Sequence, residues 1–382
     1  MDGQKIGYVT WWFTPRIINE SLSPHYFLWP CQLLRGKDFE VDVLTGWYPE
    51  RGEKRRERIF GLNVYRYRLF GPNNIPFFAL RKLLREKYDL IHVHTYGFGG
   101  ADLAFWSTKM KRVPFFFTPH CWWHDRPLGI KKYARKAYDK KLGRKLLAEF
   151  TAIIAFSEYE KKKLKRLGAN NIVVVPHGVD LKVFNKSPER DIKEVYDTEH
   201  LVLSVGMLDY RKGHDVGIRA FKYVLKEIPD AKLLIVGGKF SGDRYPTFLK
   251  KLVYKEGLTK NVLFLGYASR DFLIDAYLTS SVFALPTRFE CFGIVFIEAM
   301  AASLPIITTK IPPLTEIIGD GEGGILVNFD PKKLSEKIIL LLQDRKMAKK
   351  LGNEGRKRVE ERFDLSRSKK ILWKLYDTYL ST

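Results

Sequence analysis

The feature that most limits how this chain can fold is an alternation running through its whole length. Short, apolar, β-branched runs are followed by longer stretches with helical periodicity. "KIGYVT" (5–10), "FEVDVLTG" (39–46), "LNVYRYRL" (62–69), "DLIHVHT" (89–95), "PFFFTP" (114–119), "TAIIAFS" (151–157) and "NIVVVP" (171–176) read as strands. Helical patterns lie between several of them, at 76–87, 101–112, 131–149 and 158–167. The rhythm resumes with "LVLSVG" (201–206), "AKLLIVGG" (231–238), "NVLFLG" (261–266), "SVFALP" (281–286), "LPIITT" (304–309) and "GGILVN" (323–328). Such alternation predicts parallel sheets covered by helices on both faces. The nearly unbroken apolar character of "LLIVGG" and "AIIAF" fits strands buried on both sides.

A chain of 382 residues is too long for one core, so two domains are expected. The polar stretch "DLKVFNKSPERDIKEVYDTEH" (180–200) interrupts the rhythm, and the linker is placed there. The expected fold class is α/β, with two doubly wound, Rossmann-like domains at 1–186 and 187–365. Residues 366–382 form an amphipathic closing helix that docks away from the second domain, back on the first. In doubly wound sheets, ligands bind beyond the carboxyl ends of the strands. The loops after each strand are therefore the ones to inspect, and a cleft between the two domains is the expected site.

The hydrophobic share is 45%, which excludes a disordered chain. No apolar stretch is long enough to span a bilayer. The start "MDGQKIGYVT" lacks the pattern of a secretory signal, so a cytoplasmic protein is expected. Cys31, Cys121 and Cys291 show no C-x-x-C spacing and suggest neither a disulfide framework nor a zinc site. The formal charge is +23, with 34 basic against 17 acidic residues in 1–186 and 32 against 26 in 187–382. The excess is densest in "IKKYARKAYDKKLGRKLLAEF" (130–150) and "EKKKLKR" (160–166). Such a surface attracts anions, whether a membrane, a phosphorylated ligand or nucleic acid. A solvated, Lys-rich face is the plainer reading. No nucleic-acid-binding module accompanies the charge.

Two loops concentrate the chemistry. After strand 201–206 come Gly206 and "MLDYRKG", placing Arg211 and Lys212 just before a helix that starts near Gly213. Two cations at a helix N-terminus make an anion site, though they also fit an ordinary surface turn. The G-x-x-x-x-G-K-[ST] spacing of a P-loop is absent. After strand 281–286 comes "RFECFGIVFIEAM". Glu290 falls in the loop, Gly293 allows close approach of a ligand, and a helix is expected over 293–302. That helix is apolar all round except for Glu298. A buried carboxylate needs donors, and no Lys or Arg lies one turn away. Ligand hydroxyls would supply them, or else a distant Arg or backbone amides.

Glu290 and Glu298, with seven residues between them, followed by "EAMAASLPIITT" and "LTEIIGDGEGGILV", resemble the nucleotide-binding half of the family-4 retaining glycosyltransferases, which have the GT-B fold. "SEYEKKKLKRLGANNIVVVPHGVD" (157–180) is similar to the stretch that closes their N-terminal domain, and "SVGMLDYRKG" to their phosphate loop. The resemblance covers most of the chain. It implies an acceptor-binding first domain and a nucleotide-sugar-binding second one. It implies that Glu298 accepts hydrogen bonds from ribose hydroxyls and that Glu290 contacts the transferred sugar. Phe292, Gly293 and Ile294 would offer backbone N–H groups to the diphosphate, and Lys212 with Arg211 would neutralise it on departure. Gly206 belongs to that phosphate loop, and Tyr267 lies in the turn "GYAS" (266–269), which would hold the base. From the first domain, His120 in "FTPHCWW" would point at the donor sugar, with His94 in the pocket wall. Without that context, a His beside aromatic residues reads as a packed core histidine. No D-x-D pair stands in a suitable loop, and the resemblance implies no divalent metal and no other cofactor.

Three departures stand out. Met207 occupies the position after the loop glycine where the family usually has Arg. The glycine-rich loop after the first strand is replaced by "TWWFTPRIINESLSPHYFLW" (10–29), which implies an aromatic acceptor side. Ser303 stands where glycine is common, and Pro312–Pro313 replace a small pair before Glu316. Trp11, Trp12, Trp122 and Trp123 all follow strands of the first domain and would suit sugar rings, a membrane interface or the core. The expected activity is retaining, metal-independent transfer of a sugar from a UDP- or GDP-sugar to a glycan or lipid-linked hydroxyl, in the cytoplasm and at the inner face of the membrane. A non-hydrolysing nucleotide-sugar epimerase of the same fold and a basic nucleic-acid-binding protein are the alternatives.

Overall fold

The computed structural model describes residues 4–10, 13, 37, 39–49, 52–70, 76–95, 99–120, 133, 143–238 and 244–380. Trp11, Trp12, Trp122, Trp123, Cys31, Cys121 and most of the basic stretch 130–142 lie outside them. The chain divides into two compact units. The first holds the described residues up to Pro176 and those from Ser368 onward; the second runs from His177 to Arg367.

The first unit is built on β1 (Gln4–Val9), β2 (Phe39–Gly46), β3 (Arg56–Ile59), β4 (Leu62–Tyr67), β5 (Leu90–His94), β6 (Phe115–Thr118), β7 (Ala152–Ala155) and β8 (Ile172–Val174). They form one sheet in the order β3-β4-β2-β1-β5-β6-β7-β8. Every pairing is parallel except β3 with β4. β3 has no counterpart among the expected strands. Its sequence "RERI" is three-quarters charged, which suits an edge that must not pair further. The central strands are buried on both faces: Val9, Leu44, Ile91, Val93, Phe117 and Ile153 pack with Ala79 and Leu83 from the Phe77–Arg85 helix. Each fully buried large side chain contributes about 1.5–3 kcal/mol.

The closing helix Leu365–Leu380 returns to this first sheet. Tyr376 is fully buried against Phe116 and Phe39, with ring centroids 5.5 and 5.9 Å away. Gln4 Nε2 donates to the carbonyl of Leu380 at 3.1 Å, and Ser368 Oγ to that of Pro176 at 2.8 Å.

The second unit carries β9 (Leu201–Val205), β10 (Lys232–Val236), β11 (Val262–Gly266), β12 (Val282–Leu285), β13 (Ile306–Thr309) and β14 (Ile325–Val327). All pair in parallel, in the order β11-β10-β9-β12-β13-β14. The chain winds outward from β9 to β11, then returns to β12 and winds the other way. The order therefore reverses between β9 and β12, which opens a crevice at their carboxyl ends.

The units divide at Pro176/His177 and not at 186/187. The polar stretch expected as a linker is folded into the second unit. Val179 bridges Asp364, Phe184 is buried near Tyr277, and Ile192 is fully buried. Asp275 and Thr279 accept hydrogen bonds from the backbone N–H groups of Glu189 and Ile192 at 2.9 and 3.1 Å. Three well-spaced apolar anchors are enough to seat a segment whose average composition is that of a loop.

Candidate active site

The loops after β9 and β12 are stapled together at the point where the strand order reverses. The first folds into a 3₁₀ turn, Tyr210–Lys212, capped by Asp209, whose Oδ1 accepts from the Arg211 N–H at 2.8 Å. Gly213 then takes a left-handed backbone, φ +68°, and opens the helix His214–Glu227. In the second loop, the Arg288 N–H and the Thr287 hydroxyl both donate to the carbonyl of Arg211, at 2.6 and 2.9 Å. The Arg288 guanidinium grips both oxygens of Asp215 at 2.7 Å and lies 3.9 Å over the Tyr210 ring. A methyl group at Gly213 would come within 1.9 Å of the Pro286 carbonyl oxygen. Gly213→Ala is therefore expected to cost at least the ~1–3 kcal/mol of a non-glycine left-handed residue, read from urea denaturation. A loss under about 0.5 kcal/mol would show that the two loops are not held this closely.

Lys212 and Glu290 form an ion pair across the stapled loops. The Lys212 stem runs over Gly206, where an added Cβ would sit 3.4 Å from it. Both side chains are largely buried, at 18% and 8% exposure. Beside them Gly293, φ +92°, opens the helix Ile294–Ala301 and, as a glycine, brings no side chain to cap its first amides. The Lys212 ammonium, paired with Glu290, and a helix start stand in these two loops, an arrangement that attracts an anion. Phe292 buries its ring near His177 and Phe363, at 5.1 and 5.7 Å, so its contribution to such a site is through the backbone. Tyr267, after β11, is half exposed, and its ring lies against Gly238.

Arg211 stands beside Lys212 in the turn but directs its charge elsewhere. Its Nε lies 3.1 and 3.0 Å from the two oxygens of Asp209. Burial pushes the Asp209 carboxyl up, but hydrogen bonds from Arg211 and its charge outweigh that and hold it below the ordinary range. Each of the two expected cations thus has its own carboxylate, Arg211 with Asp209 in the same turn and Lys212 with Glu290 across the loops.

Glu298 is fully buried, and its donors come from the protein. Arg270 Nη1 lies 2.5 Å from Oε1, and the Tyr277 hydroxyl donates to Oε2 at 3.1 Å. Of the donors that the sequence left open for Glu298, the distant arginine is present. Arg270 and Tyr277 sit seven residues apart on the helix Arg270–Thr279, two turns along one face. That spacing in "SRDFLIDAYL" was the signal available in the sequence.

His120, after β6 in the first unit, is buried with φ +57°. Its Nε2 lies 2.6 Å from Nδ1 of His94. The His94 ring stacks on Tyr8, with centroids 4.0 Å apart.

Comparison with known proteins completes the picture. A family model described as glycosyltransferase family 4 matches residues 31–183, and one described as glycosyl transferases group 1 matches residues 185–358. An uncharacterized glycosyltransferase of Methanocaldococcus jannaschii is 31% identical over 94% of each chain. The chain belongs to the family-4 glycosyltransferases. A GDP-mannose-dependent monoacylated α-(1-6)-phosphatidylinositol monomannoside mannosyltransferase of Corynebacterium glutamicum is 32% identical over 57% of this chain and 59% of its own. The solved sucrose-phosphate synthase of Thermosynechococcus elongatus superposes with a TM-score of 0.81 over 99% of both chains at 24% identity, which shows the GT-B fold.

Among the described residues of this glycosyltransferase, no three His, Cys, Asp or Glu side chains are grouped to hold a metal ion. No described helix is long and apolar enough to cross a membrane. Residues not anticipated as part of the site are Asp209, Asp215, Arg270, Tyr277 and Arg288, all of them partners that fix an anticipated residue or its loop.

The buried histidines should make the glycosyltransferase acid-sensitive. Burial drives His92 and His94 well below the usual 6.5, His120 to about 3 and His214 to about 4. Unfolding lets each protonate near 6.5, so their stabilisation is complete above that value. It is lost as pH falls toward the folded-state values. The unfolding free energy should drop between pH 6.5 and 4.5, by up to about 1.4 kcal/mol per pH unit for each histidine. Urea denaturation at pH 7.5, 6 and 5 measures this. A flat profile would show that these rings protonate inside the fold.

Proposed function

We propose that this glycosyltransferase is a retaining, metal-independent enzyme that moves a sugar from a UDP- or GDP-sugar to a hydroxyl of a glycan or lipid-linked acceptor. The observation that carries this reading is the Lys212–Glu290 pair beside the glycine-opened start of the Ile294–Ala301 helix. Breaking a glycosyl–phosphate bond leaves a cationic sugar and an anionic diphosphate. A fixed ammonium and helix amides stabilise the anion as it forms. Glu290, held by Lys212, complements the positive charge growing on the sugar. As the diphosphate draws Lys212 toward itself, Glu290 becomes more available to the sugar. The leaving phosphate oxygen takes the acceptor proton, and the acceptor attacks on the face the diphosphate leaves, so configuration is retained. Backbone N–H groups of Phe292, Gly293 and Ile294 seat the diphosphate, Gly206 and Tyr267 flank the nucleotide, and His120 faces the donor sugar. A C. glutamicum relative named as GDP-mannose-dependent, acting on a phosphatidylinositol mannoside, supports both the donor class and a lipid acceptor.

The test is a thermal-shift screen across UDP-, GDP- and ADP-sugars, followed by transfer with the stabilising donor in EDTA and analysis of the anomer formed. A product of inverted configuration, or transfer abolished by EDTA and restored by a divalent ion, overturns the respective part.

The enzyme acts in the cytoplasm at an anionic membrane surface. Support comes from the positive excess of the first unit and from its sheet edge. Phe70, Phe77 and Phe78 are exposed there, with the Phe70 ring 6.0 and 5.9 Å from the other two. Arg68 and Arg81 are exposed nearby in the chain. On the β3–β4 hairpin both acids, Glu53 and Glu57, turn to the buried Arg66, leaving Lys54, Arg55 and Arg56 exposed. Cations around exposed aromatic rings suit an anionic bilayer interface. Cosedimentation should be strong with vesicles containing anionic lipid and weak with zwitterionic ones. Equal recovery from both would remove the membrane from the proposal.

A further inference from the structure

Arg270 is the counter-charge of Glu298, but that contact occupies only part of its guanidinium. Nη1 lies 2.5 Å from Glu298 Oε1, and among the described residues Nε and Nη2 make no hydrogen bond. An arginine carries five N–H donors in a fixed plane and is always charged. Its surroundings hold this one in place. Glu298 anchors one end, and the Phe184 ring lies 6.0 Å from the guanidinium carbon. Ser269 caps the helix that Arg270 opens, its Oγ accepting from the Phe272 N–H at 3.2 Å. The result is a positioned fork with unused donors, on a side chain that keeps 35% of its surface in solvent.

Glu298 is closed to a ligand in this arrangement. Its side chain is fully buried, with Arg270 on one oxygen and the Tyr277 hydroxyl on the other at 3.1 Å. The member of the pair that reaches solvent is the arginine. Arg270 directly follows the turn 266–269, beyond β11. Its guanidinium ends beside Glu298, one turn beyond Ile294 in the helix Ile294–Ala301. One turn is about 5.4 Å, and helical side chains lean toward the N-terminus, so the pair lies close to the start of that helix. With the base in the turn 266–269 and the diphosphate at the helix start, the ribose falls between them, where the arginine crosses from one to the other.

We propose that Arg270 is the ribose-binding residue of this glycosyltransferase, donating from its unused N–H groups to the ribose hydroxyl oxygens of the nucleotide. This rests on the reading in which a nucleotide sugar is the donor. Glu298 is then a positioning residue that acts through Arg270. The hydrogen bonds run opposite to those the family resemblance implies: the ribose oxygens accept, and the carboxylate holds the group that donates. A hydroxyl can play either part, so ribose still fits, while a sugar lacking that oxygen leaves the guanidinium without its partner. The ribose is remote from the bond that breaks and is held alike in the ground and transition states. Its recognition therefore sets KM and leaves kcat nearly untouched.

Calorimetric titration of the full chain with UDP, GDP and ADP, then with the 2′-deoxy and 3′-deoxy forms of whichever binds best, tests this. The unmodified protein should bind the ribose form about 10–100-fold more tightly than at least one deoxy form, the scale for a hydrogen bond to a charged group. Arg270→Lys keeps a cation for Glu298, but lysine has one nitrogen and the buried carboxylate takes it. The preference for ribose should therefore shrink to within about twofold, with a matching rise in donor KM and little change in kcat. A ribose preference that survives in full in Arg270→Lys overturns the proposal, as does the absence of any preference in the unmodified protein. Should Arg270→Lys fail to fold, Glu298→Gln decides, since it leaves no uncompensated carboxylate. Nucleotide binding and the ribose preference should both weaken once the anchor is gone, and unchanged affinity overturns the proposal. If none of UDP, GDP and ADP binds, the donor reading fails as a whole. If one binds and Arg270→Lys discriminates as before, only the role of Arg270 fails.

Discussion

Replacing Lys212 with alanine should lower the rate of transfer by about 10²–10³-fold, the usual scale for deleting one preorganised charge-stabilising donor. The size of the effect follows from what the neighbouring arginine does. Arg211 holds both oxygens of Asp209 within its own turn, while Lys212 is paired across the loops with Glu290, the residue proposed to meet the sugar. Met207 in the place of a family arginine leaves that ammonium with less support. The loss should fall mainly on kcat, because charge on the leaving diphosphate is greatest in the transition state. Arg211→Ala should behave differently: Asp209 is buried and would lose its charge partner, so stability falls while Lys212 remains in place. Lys212→Ala also leaves Glu290 without its partner, so a melting curve for each variant must accompany the kinetics. Lys212→Ala that is folded and turns over normally would take Lys212 out of the mechanism.

The strands were legible because buried parallel strands are continuous apolar runs, and nothing else in "LLIVGG" or "AIIAF" competes with that reading. β3 was not, since "RERI" has neither an apolar run nor alternation and pairs only as an edge. The boundary at 176/177 was hidden because anchoring a segment takes only Val179, Phe184 and Ile192, which average composition dilutes. At the site, residues standing directly after strands could be found from sequence, because topology sends those loops to one edge. Lys212 and Glu290 lie 78 positions apart and meet for that reason. Which partner each charge selects is a matter of a few ångströms and is not periodic. Sequence places Arg211 beside Lys212, while a carboxylate two residues earlier, Asp209, competes for it.

The pair Arg270–Glu298 should respond asymmetrically to mutation. Glu298 is completely buried, while the Arg270 side chain keeps about a third of its surface in solvent, 35%. Arg270→Ala leaves a carboxylate inside an apolar helix with the Tyr277 hydroxyl as its remaining described side-chain donor. Removing one partner of a buried pair in this way costs about 3–5 kcal/mol. Glu298→Gln keeps an acceptor for Tyr277 and frees a guanidinium that can turn outward to water, so the loss should be well under half of that. Urea denaturation of both variants measures the difference, and equal losses would show that Arg270 does not serve as the counter-charge. The same two proteins separate structure from recognition. If Glu298 also meets the ribose, Glu298→Gln should raise the KM for the nucleotide sugar even where stability is nearly preserved. If it serves only to seat Arg270, nucleotide affinity should follow Arg270: unchanged in Glu298→Gln when the guanidinium has no ligand role, and weakened in both variants when the outward-facing guanidinium is itself the ligand contact.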